Sequence, residues 1–180
     1  MTGSQRFSPA MTRRRQARGN PGLVQLWDLL DQVMDPEIPV LSLWDLGVLQ
    51  DVEKLGDAVT VTITTTYSGC PAMDMIGAGI RQVLAQAGYP NVTVKQQLAP
   101  AWTTDWISAE GRRKLREFGI APPAEASHSK RELLGGKLLV PCPRCDSTRT
   151  ERVSEFGSTA CKALYRCQDC REPFDYFKCI

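Results

Sequence analysis

The sequence predicts an α+β fold, a small mixed sheet with helices, followed by a second and much smaller β domain organised by cysteines. Three observations carry this. Helical and strand periodicities alternate between residues 22 and 120. Apolar periodicity then stops in a stretch rich in Pro, Ala and Ser. Six of the seven cysteines fall in the last 39 of the 180 residues. A composition of 42% hydrophobic and 23% charged residues supports a folded core and excludes a wholly disordered chain. No apolar run approaches the ~18 residues of a membrane helix, so no membrane association is expected.

Charge divides the chain in three. Residues 1–21 hold five arginines and no acid, residues 22–120 twelve acids against seven bases, and residues 121–180 ten bases against eight acids. The first segment has no apolar stretch after its arginines, so an export signal is not expected. It reads as a disordered basic tail, with Met11 as an alternative start. The expected compartment is a reducing cytoplasm, where clustered thiols more often hold metal than form disulfides. The acidic middle segment has nothing shaped to hold a phosphate backbone, and the net charge of +2 is too mild to point to nucleic acid.

The elements of residues 22–120 follow in order. Asn20-Pro21 is a helix start, and Leu23, Leu26, Trp27, Leu30 and Val33 recur at helical spacing until Asp35-Pro36 stops them. Val48–Glu53 reads as a strand and Gly56-Asp57 as a turn. Val59, Val61 and Ile63 alternate with threonines as the second strand of a hairpin. A loop through Gly69-Cys70 leads to a helix from Pro71 to Ala87, closed by Gly88. Val92–Leu98 supplies a third strand, and Ser108 caps a last helix that runs to Phe118 and stops at Gly119. Residues 121–137 read as a linker. It contains the one histidine, His128, which reads as a solvated side chain rather than a ligand.

Residues 138–180 are expected to form a zinc ribbon. Cys142-Pro-Arg-Cys145 and Cys167-Gln-Asp-Cys170 are two knuckles separated by 21 residues. Zinc takes four soft ligands in a tetrahedron, and each tight turn offers two thiolates. A segment of 43 residues buries too little apolar surface to fold unaided, so a metal staple is expected. Val153, Phe156, Leu164, Tyr165, Phe174, Tyr176 and Phe177 are its candidate core. Redox pairs or disulfides are the competing reading, and four thiolates also suit iron. Cys161 and Cys179 exceed what one ribbon needs. They are either buried small hydrophobes or additional thiols that form a second site or exchange with the first.

Cys70 stands apart from this cluster. Placed as the cap of the helix beginning at Pro71, it lies where backbone N–H groups and the helix dipole favour a thiolate, with Asp74 opposing one turn in. An inert core cysteine is the equal alternative. No catalytic site is expected: a cysteine hydrolase needs a histidine base, and neither a phosphate loop nor a nucleophile elbow is present.

Asp35-Pro36-Glu37-Ile38-Pro39, Asp45-Leu46-Gly47 and Thr66 through Gly69-Cys70-Pro71 resemble the α+β domain of SufT-type iron–sulfur assembly proteins over about residues 22–100. The segments 98–107, Phe156–Cys167 and Glu172–Cys179 narrow the resemblance to the PaaD family of the bacterial phenylacetate-degradation cluster, from about residue 22 to the end. The resemblance implies a non-catalytic accessory protein of the ring-epoxidising phenylacetyl-CoA oxygenase, which matures that enzyme's iron–sulfur or iron centres. It implies a functional thiol at Cys70 for transient binding of iron or an iron–sulfur cluster, within a loop that includes Thr66 and Gly69 and that Asp35, Glu37 and Asp45 either support or join as metal ligands. The implied partners are the other oxygenase components, above all the iron–sulfur reductase. One cysteine cannot hold a cluster alone, so a homodimer or a complex must complete the ligands. Two other functions compete: a structural subunit of the oxygenase that docks through the ribbon, and nucleic-acid binding by the ribbon, which the charge disfavours.

Overall fold

The computed structural model describes residues 9–67, 69–123 and 139–178, arranged as two compact units that divide between Trp102 and Thr103. In the first unit, β1 (Leu49–Leu55) and β2 (Ala58–Ile63) form the expected antiparallel hairpin, turned at Gly56 with φ +58°. The third strand, β3 (Asn91–Gln96), pairs with β2 in parallel, Val59 opposite Val92 and Val61 opposite Val94, so the sheet is mixed with order β1-β2-β3. A parallel neighbour needs a crossover, and the helix between these strands supplies it. That helix is α4 (Ala72–Gln86), which buries Ile76, Ile80 and Leu84.

Asn20 accepts from the Gly22 N–H as the expected cap, but the helix it opens is short: a 3-10 turn at Pro21–Leu23, then Val24–Leu30 as α2. Beyond it the chain doubles back. Asp35 accepts from the N–H groups of Glu37 (2.9 Å) and Ile38 (2.8 Å), folding the Asp-Pro-Glu turn tightly. One helical turn not expected from the sequence, α3 (Leu43–Leu46), is capped by Ser42 and ended by Gly47 at φ +82°.

For Pro9–Arg18 the expectation of a disordered basic tail is corrected, since this stretch is a helix, α1, while residues 1–8 lie outside the described residues. Met11 and Arg14 on it are buried, at 5% and 2% exposure. The Arg14 guanidinium donates to the carbonyls of Leu49 (2.9 Å) and Trp44 (3.0 Å) and lies 4.5 Å over the Trp44 ring. Burial, with Arg15 and Arg18 adding to it, pulls its pKa down to about 10, which leaves it charged at neutral pH. Arg18 pairs with Asp31, and the Trp27 ring N–H donates to Ala17. Arg14, which looks solvated in the sequence, therefore fastens α1 to β1 and α3, and Arg18 ties it to Asp31.

The second unit contains a four-stranded sheet of order β4-β7-β6-β5. Its strands are β4 (Ile120–Ala121), β5 (Thr150–Ser154), β6 (Lys162–Cys167) and β7 (Pro173–Phe177). The helix α5 (Ala109–Phe118) has Ser108 as its cap and Gly119 at φ +91° as its stop, as the sequence predicts. Its place differs from the expected division at residue 120. Ile120 and Ala121 pair in parallel with Asp175 and Tyr176, so this helix and strand belong with the cysteine-rich sheet. Tyr165, Phe174, Tyr176 and Phe177 are buried as expected, whereas Val153 and Phe156 are exposed, at 57% and 64%. Both lie on or just past β5, an edge strand whose pairing slips between Arg152 and Ser154. His128 and Cys179 lie outside the described residues.

Candidate metal centre and thiol site

The four predicted ribbon ligands converge. The ligand sulfurs of Cys142, Cys145, Cys167 and Cys170 all lie within 4.8 Å of one another, with Cys142–Cys170 at 3.7 Å and Cys145–Cys167 at 3.6 Å. Zinc–sulfur bonds of ~2.3 Å in a tetrahedron put sulfurs about 3.8 Å apart, so the donor set fits a metal of that size. All four are free thiols in this structure, an arrangement that favours a shared metal over disulfides. Iron bound by four thiolates would fit the same cage.

The two knuckles repeat one geometry. The Cys142 N–H donates to the Ser147 carbonyl and the Cys167 N–H to the Glu172 carbonyl, five residues on in each case. The residue after each second cysteine, Asp146 (φ 62°) and Arg171 (φ 64°), adopts the left-handed conformation that reverses the chain. Between the knuckles, Asp169 accepts from Ser147 and pairs with Arg149. Burial opposes ionisation of Cys167, but the N–H groups of Cys170 and Asp169 and the neighbouring thiols bring it down to about 6. The backbone thus favours a thiolate, the form a metal takes. Cys170 is pushed up to about 12: its N–H bond from Glu172 is outweighed by burial and by the other three thiols. Four thiolates this close need a cation among them.

Cys161 is not part of this centre. It precedes β6 while Cys167 ends it, about 20 Å away at strand rise. Cys161 thus lies outside the group of four sulfurs in this structure. It is buried, at 4% exposure, and its sulfur lies 3.0 Å from the Thr159 hydroxyl.

The first unit places Cys70 after β2, half-buried, with Gly69 at φ +81°. A Cβ on Gly69 would meet nothing within 4 Å, so the backbone conformation alone requires glycine there. Pro71, not Cys70, occupies the cap position of α4, which corrects the expected placement. The expected sign at the thiol is also reversed. Burial raises the Cys70 pKa, hydrogen bonds from the Ala72 N–H and the Tyr67 side chain oppose this, and the charges of Glu37 and Asp35 add to the rise. The structure therefore brings Asp35 and Glu37 close enough to act on Cys70. Asp45 is buried within α3 and Thr66 is half-buried after β2, and neither figures among the groups that set the charge at the thiol. Tyr67 is the residue the sequence reading missed. Its signal was a hydroxyl three positions before the cysteine.

Two family models match the chain: one described as an iron–sulfur cluster assembly protein, over residues 23–95, and one described as the PaaD zinc beta ribbon domain, over residues 126–178. These matches and the four-cysteine cage define a two-part protein, an assembly-type α+β domain followed by a zinc ribbon. A protein of Escherichia coli strain K12, named as a putative subunit of 1,2-phenylacetyl-CoA epoxidase, is 52% identical over 160 residues, covering 89% of this chain and 94% of that one. The chain belongs to the PaaD family. An Fe-S protein maturation auxiliary factor of Porphyromonas gingivalis is 38% identical over 89 residues, 48% of this chain and 84% of that protein. Among solved structures, a domain of unknown function DUF59 from Bacillus anthracis is 24% identical with a TM-score of 0.48, covering 59% of this chain and 96% of that one. Among the described residues, no helix is long and apolar enough to cross a membrane.

The cage and the thiol each give an expected outcome. Removal of zinc by a strong chelator, or Cys142→Ser, should unfold residues 139–178 and leave the first unit folded. Circular dichroism together with Trp fluorescence checks this, and a ribbon that stays folded without metal contradicts it. At Cys70, Glu37→Gln removes a nearby negative charge, lowers the thiol pKa and should speed alkylation near pH 7. Tyr67→Phe removes a donor to the thiolate and should slow it. The pH dependence of iodoacetamide labelling at Cys70 reads both directions.

Proposed function

We propose that this protein is a non-catalytic accessory factor of the phenylacetyl-CoA epoxidase that matures its iron–sulfur or iron centres, with Cys70 as the acceptor thiol. The observation that carries the reading is the arrangement around that thiol. Cys70 sits half-buried on a turn held by Gly69, receives hydrogen bonds from Ala72 and Tyr67, and lies under the charge of Glu37 and Asp35 from a turn more than thirty residues earlier. The match of this unit to iron–sulfur assembly proteins and the name of the Escherichia coli relative support it. A thiol kept protonated at rest is a weak, reversible ligand, suited to accepting iron or a cluster and giving it up. The remaining ligands come from a second copy or from the recipient.

The relative's name makes it a component of the epoxidase, which favours a second reading, a structural part of the complex that docks through its ribbon. The two readings separate in cells. Under the maturation reading, Cys70→Ser leaves folding and zinc content intact but lowers the iron–sulfur content of the epoxidase reductase, and with it the epoxidising activity. Full cluster loading with normal activity in that strain would overturn the role of Cys70 and favour docking.

A further inference from the structure

The ribbon's four ligands are not equivalent. Cys142 and Cys167, the first cysteine of each knuckle, are at 0% exposure and belong to the small core with Tyr165 and Phe174. Cys145 and Cys170, the second of each knuckle, are exposed. The metal cage is thus sealed on one side by the sheet and reachable from solvent on the other. The charges on the open side are also sorted. Asp146 is taken up by Arg116 and Asp169 by Arg149. Arg144, next to Cys145, and Arg171, next to Cys170, are exposed and form no ion pair among the described residues, with Glu172 the nearby acid left over.

We propose that the ribbon releases its metal through the Cys145–Cys170 face to an anionic thiol. The acceptor sulfur bonds to the metal as the bond from Cys170 or Cys145 breaks, and the acceptor's S–H proton passes to the released cysteine. No electrons change hands, and the charge at the metal is conserved. Arg144 and Arg171 draw the anionic acceptor to this face, while Cys142 and Cys167 keep the knuckles folded during the exchange. This inference does not depend on Cys70, and the same rates are expected in Cys70→Ser.

The test uses the zinc-loaded full chain, with a zinc-sensitive dye to follow release and 2-mercaptoethanesulfonate or 2-mercaptoethanol as the acceptor. The release rate should rise linearly with thiol concentration. It should be about threefold or more faster for the sulfonate thiol at low salt, with the gap closing as salt screens the arginines. Alkylation during release should mark Cys145 or Cys170 first, and Arg144→Gln with Arg171→Gln should abolish the preference. A rate independent of thiol concentration would mean release by unfolding and would overturn the proposal. First modification at Cys142 or Cys167, or equal rates for the two thiols, would overturn it as well.

Discussion

The convergence of four sulfurs is the constraint on which the C-terminal unit depends. One cluster of its buried residues joins Ala121, Val140, Tyr165, Phe174 and Tyr176 to Cys142 and Cys167, two of the four residues that could hold a metal. A structural zinc site contributes on the order of 10–16 kcal/mol to a fold of this kind. A metal held by these four thiols would couple its binding to the folding of the knuckles. The left-handed residues Asp146 and Arg171 follow from the same demand, because each knuckle must reverse within two residues of its second cysteine to aim both thiols at one point. The sheet that results also takes in Ile120 and Ala121, which is how a segment outside the knuckles becomes part of the metal-dependent fold.

The first unit surrounds one thiol with a different set of influences, burial, two donors and two carboxylates. The crossover geometry does this. A parallel β2–β3 pair forces α4 between the strands, and the turn entering α4 is where Cys70 sits. The Asp35 turn, closed by its own hydrogen bonds to Glu37 and Ile38, then brings two carboxylates to bear on that thiol. Burial and charge keep the sulfur protonated, while two donors keep the thiolate within reach. A weak ligand of this kind suits transient loading, and the four-sulfur cage suits a tightly held ion.

Much of this was legible in the sequence. The Ser108 cap and Gly119 stop bound α5 at the residues expected, the alternating Val59–Ile63 pattern marked β2, and the doubled knuckles marked the metal ligands. What was not legible depended on distant partners. Arg14 looks solvated within a run of arginines, and only the carbonyls of Leu49 and Trp44 reveal it as a buried anchor. The helix end at Cys70 is visible locally, but the burial and the carboxylates that reverse its effect come from tertiary structure. Cys161 could be separated from the cage only through the β6 register, which sets it at the far end of the strand. Val153 looked like core because its type is apolar, and an edge strand with a slipped register turned it outward.

The proposed account has the two units handle metal differently, one keeping an ion in the four-thiol cage until another thiol displaces it and the other accepting iron in passing at Cys70. Anaerobic purification with metal analysis and absorption spectroscopy of the native chain and of Cys70→Ser tests it most directly. The account predicts one tightly bound zinc in both proteins, and oxygen-sensitive iron absorption in the native chain that is lost in the variant. Iron absent from the native chain, or iron retained in full when Cys70 is replaced, would contradict it.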